Sequence, residues 1–168
     1  MSFGPAVERS RRRLLRPWPF HFYLWARLPL AAFAGLRLTR LDDAACEVAL
    51  PGGWRTQNPF RSTYFAAQAM AAEMSTGAPA LLLVEGASAS VALLVRAIRA
   101  EFVKKATGTV TFRFEDVAGM AQAVARAAAG GEGEAFVARS IGRMADGTEV
   151  AQFEVTWSFR RRATPTAP

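Results

Sequence analysis

One cysteine and one histidine stand in 168 residues, and that scarcity removes whole classes of chemistry. A lone Cys46 has no partner for an internal disulfide, so the fold must rest on its core. A reducing, cytoplasmic setting is expected. Zinc sites built from Cys and His, and His-dependent catalytic triads, have almost no material, so neither a metal nor another cofactor is expected. Cys46 falls in an alternating apolar run, where a thiol reads as a buried packing group rather than a nucleophile. Long apolar runs are missing too. The best candidate, residues 28–36, contains Pro29 and falls far short of the roughly 18 residues of a membrane helix, so no transmembrane segment is expected. Arg11, Arg12 and Arg13 followed by apolar residues resemble the start of a signal peptide, but Arg27 and the prolines break that region.

Acidic residues are the minority: 14 against 21 Lys and Arg, a formal charge of +7. The surplus sits in the tails. Residues 1–27 hold six Arg and one Glu, residues 160–168 hold three Arg, and the remaining body has 12 basic and 13 acidic residues. A neutral body without a basic, aromatic-interleaved motif makes nucleic acid an unexpected partner. Aromatics gather instead at Trp18, Phe20, Phe22, Tyr23 and Trp25. They suit a short helix packed on the domain or a contact with a membrane surface, and the packed helix is the expectation.

What remains is ample for one core, since 51% of the chain is hydrophobic. Residues 1–16 read as loose, and residues 17–28 as a short aromatic helix ending near Pro29. Residues 36–41 and 46–50 alternate as two strands, and Pro51-Gly52-Gly53 is a breaker. Residues 80–85 form a short apolar run. Residues 90–103 and 109–115 read as strands, residues 117–128 as an Ala-rich helix, and residues 134–144 and 149–160 as a hairpin turning at Asp146-Gly147. Residues 163–168 have the composition of a disordered end. Consecutive strands without intervening helices favour antiparallel pairing, so the fold class is α+β, with one apolar helix covered by a curved sheet.

That helix is predicted over residues 57–79, QNPFRSTYFAAQAMAAEMSTGAP. Asn58 suits its N-cap and Pro59 its first position, while Gly77 and Pro79 mark a stop. Glu73 is the anomaly. It is the only charge between Arg61 and Glu85, it falls in the last predicted turn, and its helical neighbours Ala69, Met70, Thr76 and Gly77 include no base. It is read either as a functional carboxylate or as one half of a buried bridge to Arg96 or Arg99. Asn58 is a helix cap alone or a cap that also serves a site.

The run from Asn58 to Glu73, with Tyr64-Phe65-Ala66 between them, resembles the hotdog fold of acyl-coenzyme A thioesterases. It is closest to an uncharacterised branch, a domain of unknown function related to the phenylacetyl-CoA thioesterase type. The resemblance implies a long helix rolled inside a curved antiparallel sheet over residues 30–162; the basic segment with its short aromatic helix over residues 1–29 is read as an addition that precedes this domain. It also implies a homodimer or dimer of dimers, with acyl-CoA or another acyl thioester as ligand. Asn58 stands where the thioesterase type has its Asn and Glu73 where it has its acid, and these are the implied catalytic residues. Tyr64, Phe65 and Ala66 replace a His-Gly-Gly and are the implied substrate-binding residues. Gln68 and Tyr64, on another helical face from Phe65, read either as acyl-pocket lining or as core or interface packing, and Arg61 either as a contact for a coenzyme A phosphate or, in the first instance, as a solvated side chain. The function implied is thioester hydrolysis with a carboxylate base at a dimer interface. The altered His-Gly-Gly leaves a non-catalytic acyl-binding module as the alternative.

Overall fold

A computed structural model describes residues 5–130 and 132–163. In chain order the elements are helices α1 (Pro5–Leu14), α2 (Pro17–Arg27) and α3 (Pro29–Ala34), then strands β1 (Arg37–Leu41) and β2 (Cys46–Leu50). Helix α4 (Phe65–Glu85) follows, then β3 (Val91–Phe102), β4 (Val110–Phe114), helix α5 (Val117–Ala129), β5 (Glu134–Met144) and β6 (Glu149–Arg161). The strands form one antiparallel sheet in the order β1-β2-β4-β5-β6-β3. Period-two alternation sends Val110, Phe112 and Phe114 inward from β4, and Phe153, Val155, Trp157 and Phe159 inward from β6. Against that face lies α4, whose alanines keep it thin: Ala67, Ala71, Ala72 and Ala80 are buried.

The ends of α4 differ from those predicted, for a local reason. Asn58 caps a turn, not the helix. Its Oδ1 accepts from the Phe60 N–H at 3.0 Å, the Ser62 N–H at 3.2 Å and the Ser62 hydroxyl at 3.2 Å. Its N–H donates to the Ser62 carbonyl at 2.8 Å, and Arg61 adopts a left-handed φ of 57°. A side chain so engaged competes with helix formation. The helix therefore begins only after Tyr64, and Pro59 belongs to the turn.

At the other end, neither Gly77 nor Pro79 stops the helix, which runs to Glu85 and absorbs residues 80–85. Pro79 denies the Ser75 carbonyl its helical donor. Burial of Pro79, Ala80 and Leu82 holds the segment helical regardless. Glu73 consequently sits mid-helix rather than in the last turn. The N-terminal expectation changes as well. Residues 5–14 form α1, tied down by Arg11 donating to the Leu41 carbonyl at 2.8 Å and Ser10 to Glu85 at 2.7 Å. Residues 164–168 of the expected disordered tail lie outside the described residues.

Close packing between sheet strands yields one stability prediction. A Cβ on Gly142 would stand 2.6 Å from the Phe112 ring, itself fully buried. Gly142→Ala is expected to cost about 1–3 kcal/mol, since a buried aromatic cannot step aside in a filled core. A thermal melt showing an unchanged Tm would contradict this packing.

Candidate active site

Midway along α4, the Glu73 side chain is half-buried and enters a cavity of about 180 Å³. Phe20 and Tyr23 from α2, Leu81 from α4, Leu93 from β3 and Trp157 from β6 help to wall it. Gly77, one turn further along, makes the space. A Cβ there would lie 3.1 Å from Glu73 Oε1 and 3.2 Å from the Trp157 ring. The carboxylate thus occupies a slot beside the indole that a larger residue would close. The indole is anchored in turn: Trp157 Nε1 donates to Thr76 Oγ1 at 3.0 Å, and that hydroxyl donates to the Glu73 carbonyl at 2.9 Å.

Among the described residues, no ion pair or hydrogen bond reaches the Glu73 carboxylate. The buried bridge is therefore not formed: Arg99 pairs with Glu101 at 2.9 Å and Arg96 is exposed. Burial alone raises the Glu73 pKa above its ordinary 4.5. In the folded state this carboxyl keeps its proton where the unfolded chain has already released it. Stability is therefore lost as pH rises from 4.5 through the raised value, and regained as pH falls. Glu73→Gln is expected to abolish that dependence, so its Tm advantage over wild type should widen with pH across this window. Parallel pH profiles for the two proteins would show a solvated carboxylate instead.

The other expected site residues cluster about the start of α4. Tyr64 is the N-cap residue, with φ −64° and ψ 138° and no side-chain cap bond. The first helical bond there is from the Gln68 N–H to the Tyr64 carbonyl at 3.2 Å. The N–H groups of Phe65, Ala66 and Ala67 thus meet no backbone acceptor among the described residues, as expected of a first helical turn. Exposed rings of Tyr64 and Phe65 pack together, with centroids 4.7 Å apart. Arg61 is exposed in the preceding loop. Gln68 is buried: its Nε2 donates to the Thr63 carbonyl at 3.1 Å, while its Oε1 has no partner.

Within one chain these two groups do not meet. Nine residues separate Tyr64 from Glu73, about 13 Å along a helix. Asn58 lies beyond the helix start, committed to its turn. Sequence reasoning missed Gly77 and Trp157 as the makers of the Glu73 slot. The usable signal was a glycine four residues after an unpartnered Glu, on the same helix face. The sheet also ends on β3, an edge strand that exposes Leu94, Ile98 and Phe102.

Residues 17–159 match a family model described as Domain of unknown function (DUF4442). The chain belongs to this family. No curated protein matches it. Among solved structures, this DUF4442 chain is similar to a Pseudomonas aeruginosa protein of unknown function called a probable thioesterase, at 18% identity and TM-score 0.72, covering 88% of this chain and 97% of that one. It is also similar to a thioesterase from Haemophilus influenzae, at 14% identity and TM-score 0.65, with 90% and 95% covered. A third is a Staphylococcus aureus thioesterase solved as a glutamine-to-alanine variant, at 14% identity and TM-score 0.62, with 79% and 98% covered. These likenesses show the fold, which is the hotdog fold of thioesterases. Among the described residues of the DUF4442 chain, no helix is long and apolar enough to cross a membrane.

Proposed function

We propose that this DUF4442 protein hydrolyses acyl thioesters at a site completed by a second copy of the chain, with Glu73 as the base. The observation that carries this reading is the Glu73 carboxylate: half-buried, unpartnered, raised in pKa and open to an apolar cavity. Such a group is costly to the fold, and its burial makes it a stronger base than a solvated carboxylate. In the reaction, Glu73 removes a proton from water as the water oxygen bonds to the thioester carbonyl carbon. The oxyanion is held by helix N–H groups, the C–S bond breaks, and the thiolate leaves with the proton.

A second copy is required because the N–H groups near Tyr64, Phe65 and Ala66 lie too far from Glu73 of the same chain. Edge strand β3 supplies the means. Its beginning, at Leu93, borders the Glu73 cavity, and its end leads to Ala106, which accepts from the Thr63 N–H just before α4 at 2.9 Å. Antiparallel pairing of β3 with its copy brings each beginning beside the other's end, and so Glu73 toward the partner helix start. The Glu73 cavity within one chain, about 180 Å³, is also smaller than the roughly 300 Å³ of a common small-molecule site. Arg61, exposed near that helix start, would meet a coenzyme A phosphate, and Asn58 holds the turn that presents it. A further support is spacing. The Staphylococcus aureus protein has been solved as variants at a glutamine and at a glutamate fifteen positions apart, the separation of Asn58 and Glu73. We read residues 30–162 as the catalytic domain, with Leu14, Phe20, Tyr23 and Leu28 of the preceding segment adding part of the cavity wall.

The test is free-thiol release from short, long and aromatic acyl-CoA esters by wild type and Glu73→Gln. Turnover that depends on Glu73 supports hydrolysis. Absence of turnover by wild type on every ester would favour an acyl-binding module, a reading that the replacement of His-Gly-Gly by Tyr64-Phe65-Ala66 also supports.

A further inference from the structure

Helix α2 carries two apolar faces, and the domain covers one. Phe20 and Leu24 are buried, with Tyr23 half-buried beside them. Trp18, Phe22 and Trp25 project from the opposite side, where about 100° of turn per residue gathers them into a stripe roughly 60° wide. They are 78%, 77% and 52% exposed. Single exposed apolar side chains are ordinary, but three large aromatics on one helix face are not. Trp54, in the loop after β2, is exposed as well and meets the exposed Phe33 ring edge-on at 5.8 Å.

Charge around the stripe is mostly positive, Glu85 in the groove beside Phe22 and Arg27 being the exception. From Arg9 to Leu41 the chain has eight arginines and no aspartate or glutamate. Arg16 immediately precedes α2 and Arg27 ends it. Arg37 and Arg55 join Trp18 and His21 around a groove of about 530 Å³. Among the described residues, none of these four arginines forms an ion pair, and Glu8 is already taken by Arg11 and Arg12. The Trp25 ring N–H is satisfied by His21 Nε2 at 2.9 Å, so the ring can leave water without losing a hydrogen bond.

We propose that α2 docks this protein on an anionic lipid bilayer. The helix lies on the surface, with Trp18, Phe22 and Trp25 at the boundary of headgroups and acyl chains and Arg16, Arg27, Arg37 and Arg55 against phosphates. Aromatics flanked by unpaired arginines are the composition of an interfacial helix. Charge complementarity selects the occupant: four arginines without ion pairs among the described residues, set around three exposed aromatics, match a surface that is both anionic and deformable. The inner face of the same helix walls the Glu73 cavity through Phe20 and Tyr23, which sets that cavity about one helix diameter, some 10 Å, from the lipid. The proposal stands independently of what Glu73 does.

The experiment is flotation of the full chain with vesicles of phosphatidylcholine, alone or mixed with phosphatidylglycerol. It compares wild type with the triple variant Trp18→Ser, Phe22→Ser, Trp25→Ser. A chain of charge +7 adheres to anionic surfaces by charge alone, so the triple variant, which keeps every arginine, isolates insertion. Wild type is expected to favour the anionic vesicles by more than about tenfold, and the triple variant to lose about tenfold or more of that partition. Spin-labelled lipid should quench wild-type tryptophan fluorescence, a readout that needs no variant. The proposal is overturned by no preference of wild type for anionic vesicles, by equal partition of the triple variant, or by no quenching. A changed oligomeric state of the triple variant in sedimentation would also overturn it, because the stripe would then be covered by a second copy.

Discussion

Glu73→Gln is expected to lower thioester turnover by about 10²–10⁴-fold while the fold and the oligomer persist. Gln keeps the shape and volume that fit between Gly77 and Trp157 but cannot accept the proton of water. The carboxylate has no ion pair or hydrogen bond to lose among the described residues, so the substitution removes a buried charge without orphaning a partner. The variant should therefore be as stable as wild type or more so at neutral pH. That pairing of effects separates the two readings of this residue. A catalytic base gives lost turnover with a retained or raised Tm, whereas a structural carboxylate gives a lowered Tm with turnover in proportion to folded protein. Full activity in Glu73→Gln would remove this residue from the mechanism.

Mixing two inactive variants should restore activity. Phe65→Pro removes one N–H from the first turn of α4 and is tolerated there, because proline suits the first helical position and Tyr64 already has the extended backbone that must precede it. If hydrolysis joins Glu73 of one copy to the helix start of the other, a dimer of one Phe65→Pro chain and one Glu73→Gln chain holds one intact site and one doubly defective site. Random reassociation in equal amounts then recovers about a quarter of wild-type sites. Subunit exchange followed by thiol release reads this directly. No recovery despite demonstrated exchange would place the whole site within one chain, against the separation of about 13 Å along α4.

Some parts of this molecule were legible without coordinates because they depend on near neighbours in sequence. The β5–β6 hairpin follows from Asp146-Gly147. Gly147 takes the positive φ of 83° that its lack of a side chain permits, and Asp146 Oδ1 accepts from the Thr148 N–H at 2.9 Å. Strand β4 follows from period-two alternation, and α5 from its wealth of alanine. Glu73 was conspicuous because no base lies within reach of it on its own helix.

Where α4 begins and ends was decided by tertiary structure. Asn58 and Pro59 form a good local start signal, yet the side-chain oxygen of Asn58 is consumed by the Phe60 and Ser62 donors of a turn. Gly77 and Pro79 form a good local stop, yet burying Pro79, Ala80 and Leu82 outweighs one lost helical bond. The same holds for α2: its sequence shows a helix rich in aromatics, but only the packed domain decides that Phe20 and Leu24 are covered while Trp18, Phe22 and Trp25 meet solvent. Sequence by itself determined the class of fold and the odd carboxylate, because both rest on periodicity and local charge. The slot around that carboxylate, the edge strand beside it and the bare aromatic stripe were decided by the tertiary structure, because each depends on which distant residues arrive to cover, or leave uncovered, a given face.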